Sequence, residues 1–343
     1  MTIKEIARLS GVSRGTVDRV LNNRGSVNPE TAERIRNIIN AVNYTPNLAG
    51  KTLAIKKKNL KFGFILFDTE KNPFFADVLK GIHSRFDILD AYGINMEIRF
   101  TEPDSPEKQV TAIDELMTHG IHGLAIAAIN HPLVISKLKE LTSQGIPVVT
   151  SNSDAPGCGR VAYIGSNYYE TGRTAAGLLN LVCGSSANVG IVIGSQWMHC
   201  DSERVSGFTR QIADHYPYIK IVHTAANLSD EFESYTVTSK MLEHHPEINA
   251  LYLAAAGVTG ACRAVDNLGL KNRIKIISHD ATPNTCRLIE QGFIAATITQ
   301  QPFEQGAKPI DILIDLLGMN ISPATEKIYT KIDIKIKENL FYA

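Results

Sequence analysis

From Lys61 onward, short apolar runs alternate with longer stretches of helical spacing, and this alternation restricts the fold more than any other feature. "FGFILF" (62–67), "GLAIAAI" (123–129), "IPVVTSN" (146–152), "VAYIGS" (161–166), "VGIVIGS" (189–195), "NALYLAA" (249–255) and "IKIISHD" (274–280) have the length and composition of buried strands. Segments 76–91, 106–118, 133–143, 169–183, 202–214, 231–244 and 258–268 lie between them with helical periodicity. Such alternation predicts an α/β body with parallel sheets covered on both faces. Roughly eleven strands exceed one comfortable sheet, so two lobes are expected.

In open α/β sheets a ligand sits beyond the carboxyl ends of the strands. That rule selects Asn72, Phe74 and Phe75 after the first strand, Asn152, Ser153 and Asp154 after "IPVVT", and Asp280 after "IKIISH". Amides, carboxylates and aromatic rings meeting in one cleft suit a polyhydroxylated neutral ligand, with rings on its apolar face and acceptors for its hydroxyls. Each residue also has a structural alternative: the phenylalanines as lobe core, Asp280 as a turn cap. Trp197 follows a strand end and is open to either reading.

The first 61 residues are of another kind. They carry twelve Lys/Arg against Glu5, Asp18, Glu30 and Glu33, whereas the rest of the chain carries 23 basic and 31 acidic side chains. A basic head on an acidic body points to a polyanion partner for the head alone. Thr2 and Glu5 form a capping box that opens a helix with Ile3, Ile6, Ala7 and Leu9 inward, and Gly11 suits the left-handed residue that ends it. Ser13 is a second N-cap two residues later, so the two helices form a helix-turn-helix. Val17, Val20 and Leu21 make the buried stripe of the second helix, leaving Arg14, Gly15, Asp18, Arg19 and Asn22 outward. Asn28-Pro29 opens a third helix, whose Ala32, Ile35, Ile38, Ile39 and Val42 close a small core. Arginines at a helix N-terminus reach guanine edges, and hydroxyls such as those of Ser13 and Thr16 hold phosphates. Asp18 either pairs with Arg14 one turn earlier or accepts from a cytosine amine. The candidate DNA-contacting set in the head is Thr2, Ser13, Arg14, Gly15, Thr16, Asp18, Arg19, Asn22, Asn28 and Thr31.

Five widely spaced cysteines without a C-x-x-C favour reduced thiols. No signal-peptide pattern and no membrane-length apolar run is present, so the expected location is the cytoplasm, with no membrane partner. Neither a nucleophile elbow, a zincin motif nor a P-loop occurs, and "GCGRVA" (157–162) leads into a strand rather than a helix. His119 and His122 flank a turn without a third ligand. No catalysis, cofactor or metal is expected. The rival functions are a solute-binding protein of a transport system, which fits the body but not the basic head, and a sugar-modifying enzyme.

Residues 2–54, through "IKEIARLSGVS", "TV-RVLN", "V-PET" and "NYTPN", resemble the DNA-binding head of the lactose-repressor (LacI/GalR) family. The resemblance implies a hinge helix after the head, and a leucine, here Leu53, that wedges into the minor groove. Gly50 should weaken that helix in isolation, so its folding is expected to couple to DNA binding. Relatives usually carry serine where this chain has Asp18, and a larger residue than Gly15. The body resembles the periplasmic sugar-binding-protein fold used by the same family, in its ribose-type branch, through "NPFFADVLKGI", "YIGSNYYETGRTAAGLL", "SERVSGF", "HDATPNTCRLIEQG" and "ATITQQPFEQG". It implies ring stacking by Phe74 and Phe75, an oxygen clamp at Arg204, a hydroxyl acceptor at Asp280 and an inter-lobe amide at Gln300. "NSD" at 152–154 departs from the Asp-Arg pair of ribose binders.

The resulting expectation is an all-α helix-turn-helix head (1–45), a hinge (46–60) and a two-lobed body (61–343). The N-lobe takes 61–165 and 301–326, the C-lobe 166–300 and 327–343. The implied function is a DNA-binding regulator, a repressor by resemblance, with a sugar or polyol effector between the lobes. Homodimers on a pseudo-palindromic double-stranded operator follow from the little sequence that one head can read.

Overall fold

The computed structural model describes residues 2–21, 27–42, 48–70, 72–184, 186–195 and 197–340. The head is three helices, α1 (Ile3–Ser10), α2 (Arg14–Leu21) and α3 (Pro29–Ala41). Ile6, Ala7, Val17, Val20, Ala32 and Ile35 are its buried core, with Leu21, Ile38 and Ile39 packed around them. Leu9, expected inward, is 52% exposed. Ser10 takes the buried position instead, its hydroxyl donating to the Ile6 carbonyl at 2.7 Å.

Helix α4 (Leu48–Lys56) follows. Sequence alone made it unstable by itself, and the structure shows what holds it: Ile55 is 1% exposed in the core of the body. Lys58 Nζ donates to the carbonyls of Leu317 and Gly318 at 2.6 and 3.1 Å. Full burial of one isoleucine is worth about 1.5–3 kcal/mol, enough to offset the roughly 1 kcal/mol that Gly50 costs the helix.

The N-lobe runs β1 (Lys61–Phe67), α5 (Phe74–His83), α6 (Phe86–Tyr92), β2 (Asn95–Thr101), α7 (Pro106–Thr118), β3 (Gly123–Ile126), α8 (Pro132–Ser143), β4 (Val148–Ser151) and β5 (Ala162–Gly165). The C-lobe runs α9 (Tyr168–Cys183), β6 (Ala187–Ile193), α10 (His199–His215), β7 (Ile219–Ala226), α11 (Glu231–His244), β8 (Ala250–Leu253), α12 (Val258–Asn267), β9 (Lys275–His279), α13 (Pro283–Glu290) and β10 (Ala296–Thr299). The chain then returns to the N-lobe as α14 (Pro302–Leu313), a π-turn (Ile314–Gly318) and β11 (Lys327–Tyr329), and finishes in the C-lobe with β12 (Asp333–Lys335). The single helix expected over 76–91 is two, α5 and α6. They part at Ser84, which donates to the Gly81 carbonyl at 2.6 Å, and Arg85, which grips Asp311 with two bonds of 2.8 and 2.9 Å.

The sheets have the orders β11-β5-β4-β3-β1-β2 and β12-β10-β9-β8-β6-β7, parallel throughout except where β12 meets β10. Strand order reverses between β1 and β3 and again between β6 and β8, so each lobe has a crevice at its carboxyl edge. The C-terminal boundary needs correction. β11 pairs with β5 in the N-lobe sheet, so the last crossing falls after Tyr329 rather than after 326. Beside the cleft the three crossings are bonded together: Thr330 donates its amide to Gly165 at 2.9 Å, and Lys331 donates its amide to Gln301 Oε1 at 2.7 Å. Adjacent crossings of this kind make a hinge.

Helices α5 and α14 cross so closely that a Cβ at Gly306 would strike the Val78 carbonyl, and one at Gly81 the Phe303 carbonyl. Gly306→Ala would gain about 1 kcal/mol in helix propensity, but the neighbour is backbone and cannot step aside. The clash should win, with a net loss of about 1–3 kcal/mol. Gly177→Ala, in a helix where the new Cβ meets only the Tyr216 hydroxyl at 3.9 Å, should be neutral or stabilising. Denaturant midpoints of the two variants check the pair.

Candidate functional site

At the head, Gly11 adopts φ 65° and closes α1, while Ser13 Oγ accepts from the Thr16 amide at 3.1 Å and opens α2. Two-residue spacing between those caps fixes how α2 projects. Arg14, Gly15 and Arg19 are exposed on it, with Thr16 and Asp18 half-buried between them. Thr2 accepts from the Glu5 amide and Asn28 Oδ1 from the amides of Glu30 and Thr31, so these three expected contacts sit at helix starts. Asn22 lies outside the described residues. Leu53 is 57% exposed on α4, free of the core that takes Ile55.

Between the lobes lies a cleft of about 520 Å3. Asn72, Phe74, Phe75, Asn152, Arg204, Asp280 and Gln300 all line it. Phe74 and Phe75 meet edge to face at 5.2 Å and are buried as well, so the core and cleft roles coincide. Asn72 Oδ1 accepts from the Phe74 amide at 3.1 Å, which starts α5 and orients the ring pair.

Two expectations fail in the segment after β4. Ser153 is fully buried away from the cleft. Asp154 pairs with Arg160 at 2.9 Å and accepts from the Thr150 hydroxyl at 2.7 Å, so it holds its own loop together. The cause is local: Asn152 at φ 60° turns the chain, and only its own side chain faces the cleft. Trp197 stacks edge-on against His131 at 4.6 Å and does not line the cleft. His119 pairs with Glu97 at 2.7 Å, and His122 Nδ1 accepts from the Lys61 amide at 3.1 Å.

The retained residues form one polar chain through both lobes. Asn152 Nδ2 donates to the Tyr168 hydroxyl and to Gln305 Oε1, each at 3.1 Å. The Tyr168 hydroxyl donates to Gln300 Oε1 at 2.8 Å, and Gln300 Nε2 donates to Asp280 Oδ1 at 2.8 Å. Tyr168 and Gln305 were not singled out from sequence, because a tyrosine in a helix start and a glutamine inside "PFEQG" carry no pattern of their own. Arg204 lies over the Tyr168 ring, 4.9 Å from its centre, and donates to the Ala254 carbonyl at 2.7 Å. Asp201, three residues earlier on α10, stands 3.7 Å from that guanidinium and accepts from the amides of Gly194 and Ser195. Such i, i+3 spacing was the available signal for Asp201.

Burial raises the Asp280 carboxyl above the ordinary carboxylate range, against the opposing pull of Arg204. Burial raises Asp201 too, again opposed by Arg204. His279, beside Asp280, is pushed well down by burial and then by Arg204, and its Nε2 lies 2.8 Å from the Tyr252 hydroxyl. These groups suit fixed hydrogen bonding to oxygens. All five cysteines are free, and the Cys200 thiol, which lines the cleft, is pushed up by burial and so is unreactive.

Residues 2–47 match the pattern of bacterial regulatory proteins, lacI family, and residues 62–320 match the periplasmic binding protein domain. The chain belongs to the lacI family of bacterial regulatory proteins. It is a DNA-binding regulator with a periplasmic-binding-protein body. It is 24% identical to the ribose operon repressor of Halalkalibacterium halodurans, over 91% of this chain and 89% of that one. It is 28% identical to the transcriptional regulator DegA of Bacillus subtilis, over 62% of this chain and 61% of that one. Among solved structures, AraP, an arabinose binding protein from Geobacillus stearothermophilus, is 26% identical with a TM-score of 0.68, covering 83% of this chain and 99% of that one. A solute-binding protein from Burkholderia graminis in complex with D-arabinose shares the fold, with a TM-score of 0.76 at 24% identity, covering 83% and 98%. Among the regulator's described residues no helix is long and apolar enough to cross a membrane.

Because the Asp280 pKa is raised in the folded protein, its burial costs nothing when the carboxyl is protonated in both states. The cost appears as pH rises through the unfolded value and is full above the folded one. Asp280→Asn should therefore melt higher than the parent at pH 7, with the two midpoints converging in acid. It should also lose ligand affinity. Melting curves across pH, with and without sugar, check both parts.

Proposed function

We propose that the regulator is a repressor whose operator grip is set by a sugar or polyol held between the lobes. The observation that carries this is the position of α14. Gln305, near its start, accepts from Asn152 and donates to the backbone carbonyl of Gln300 at 2.6 Å, so the helix is tied to the cleft. The π-turn that ends it holds the hinge helix through Lys58 and packs Gly318 against Ile55. A lobe rotation that moves one end of α14 must shift the seat of α4 at the other. Ligand then acts through its unequal affinity for the two arrangements.

The relatives named as sugar-binding proteins and as a ribose operon repressor support the effector class and the direction of control. Two heads are needed for adequate sequence information, so the active form is a homodimer on a pseudo-palindromic operator. Arg14, Gly15 and Arg19 face the major groove, Ser13, Thr16 and the helix starts at Thr2, Asn28 and Thr31 face phosphates, and Leu53 enters the minor groove. The protein works in the cytoplasm and turns over no substrate.

Selection of duplexes by the full-length protein should return two half-sites of opposite orientation. Arg14→Ala should relax one position of each half-site by about 1–3 kcal/mol. Asp280→Ala should bind the selected operator normally and ignore the ligand. Retention of a normal ligand response by Asp280→Ala would misplace the cleft.

A further inference from the structure

The cleft is far more acidic than a neutral sugar requires. Among its described lining residues Arg204 is the one Lys or Arg side chain, and Asp201 and Asp280 already answer it inside. Toward the mouth the C-lobe adds Asp230, Glu231 and Glu233, all in the first turn of α11 or capping it. A helix N-terminus accounts for those three. On the opposite, N-lobe side Glu70 and Asp104 line it from loops, and of these two Asp104 alone adjoins a helix start, next to the Ser105 that begins α7. Their carboxylates have neither an ion pair nor a hydrogen bond among the described residues, whereas neighbouring Glu102 is neutralised by Lys108 at 2.7 Å.

The negative charge is spread rather than focused. Among the described residues no three His, Cys, Asp or Glu side chains come together as a metal site. A cleft lined by one sign of charge raises the local concentration of a complementary ligand. At the inner end Arg204 is buried, with no hydrogen-bond partner for its Nε among the described residues, which calls for an oxygen of the ligand.

We propose that the effector is a cationic sugar, an amino sugar in chemical class, with its hydroxyl or carbonyl oxygens on Arg204, Gln300 and Asp280 and its ammonium toward Glu70 and Asp104. This rests on the cleft being the effector site. Sugar phosphates and sugar acids are excluded by the same charges.

The test uses the full-length protein and matched pairs: D-glucosamine with D-glucose, D-galactosamine with D-galactose, D-mannosamine with D-mannose. Glucosamine 6-phosphate and spermidine complete the set, and binding is measured by calorimetry at about pH 6.5, where such amines are charged. One amino sugar is expected to bind about tenfold or more tighter than its neutral partner. The gap should shrink in about 0.5 M NaCl, where the Debye length is short, and close in the double variant Glu70→Gln, Asp104→Asn. Equal or tighter binding of the neutral sugars would overturn the inference while leaving the cleft assignment in place. So would preference for the phosphate, or for spermidine with no sugar bound. A ligand whose binding survives Asp280→Ala lies outside the cleft and overturns the assignment beneath.

Discussion

The hydrogen-bonded chain from Asn152 through Tyr168 and Gln300 to Asp280 joins the lobes at the point where the chain crosses between them, and the rest of the body is arranged around it. Its members come from four separate places: the turn after β4, the start of α9, the end of β10 and the end of β9. Each is a carboxyl end of a strand or the helix start that follows one, which is where parallel sheets leave polar backbone and loops free to hold a ligand. Asn152 and Asp280 both have positive φ, a conformation that Asn and Asp tolerate better than other non-glycine residues. The polar residue types at those corners thus serve the backbone and the cleft at once.

The same chain is mechanically connected to helix α4. Gln305 ties it to α14, and the contact of α14 with α5 at Gly306 and Gly81 leaves little room for the two helices to slide. At its far end the π-turn offers two carbonyls to Lys58 and a surface to Ile55. The hinge helix is therefore held by the body, by one buried side chain and one charged donor, rather than by its own propensity. An attachment that light is worth a few kcal/mol, the same size as a typical coupling between two binding sites.

Much of this was legible in the sequence. The caps at Thr2, Ser13 and Asn28 define the head, because a capping side chain and a left-handed glycine act over only a few residues. Continuous apolar runs located the central strands. The edge strands β2 and β7 escaped notice, since "NMEIRFT" and "IKIVHTAA" are half-exposed and carry polar residues throughout. Phe74, Phe75, Arg204, Asp280 and Gln300 reach the cleft as the strand-end rule and the family pattern implied. Ser153 and Asp154 do not, because one residue at positive φ decides which of three neighbours faces inward. Leu9 and Ser10 exchange places for a related reason: the hydroxyl satisfies itself on the preceding turn and buries cheaply. Tyr168, Gln305 and the seat of α4 depend on contacts between residues more than a hundred positions apart, or on a lone polar side chain without a motif.

Coupling between cleft and operator is the centre of the account, and its most direct test is the affinity of the bound sugar measured with and without the selected operator duplex. Linkage requires the operator to weaken the sugar by the same factor as the sugar weakens the operator, a factor on the order of 5 to 150 in typical allosteric proteins. Equal weakening in both directions is the predicted result. A sugar that binds identically to the free protein and to its operator complex would contradict control of the head by the cleft.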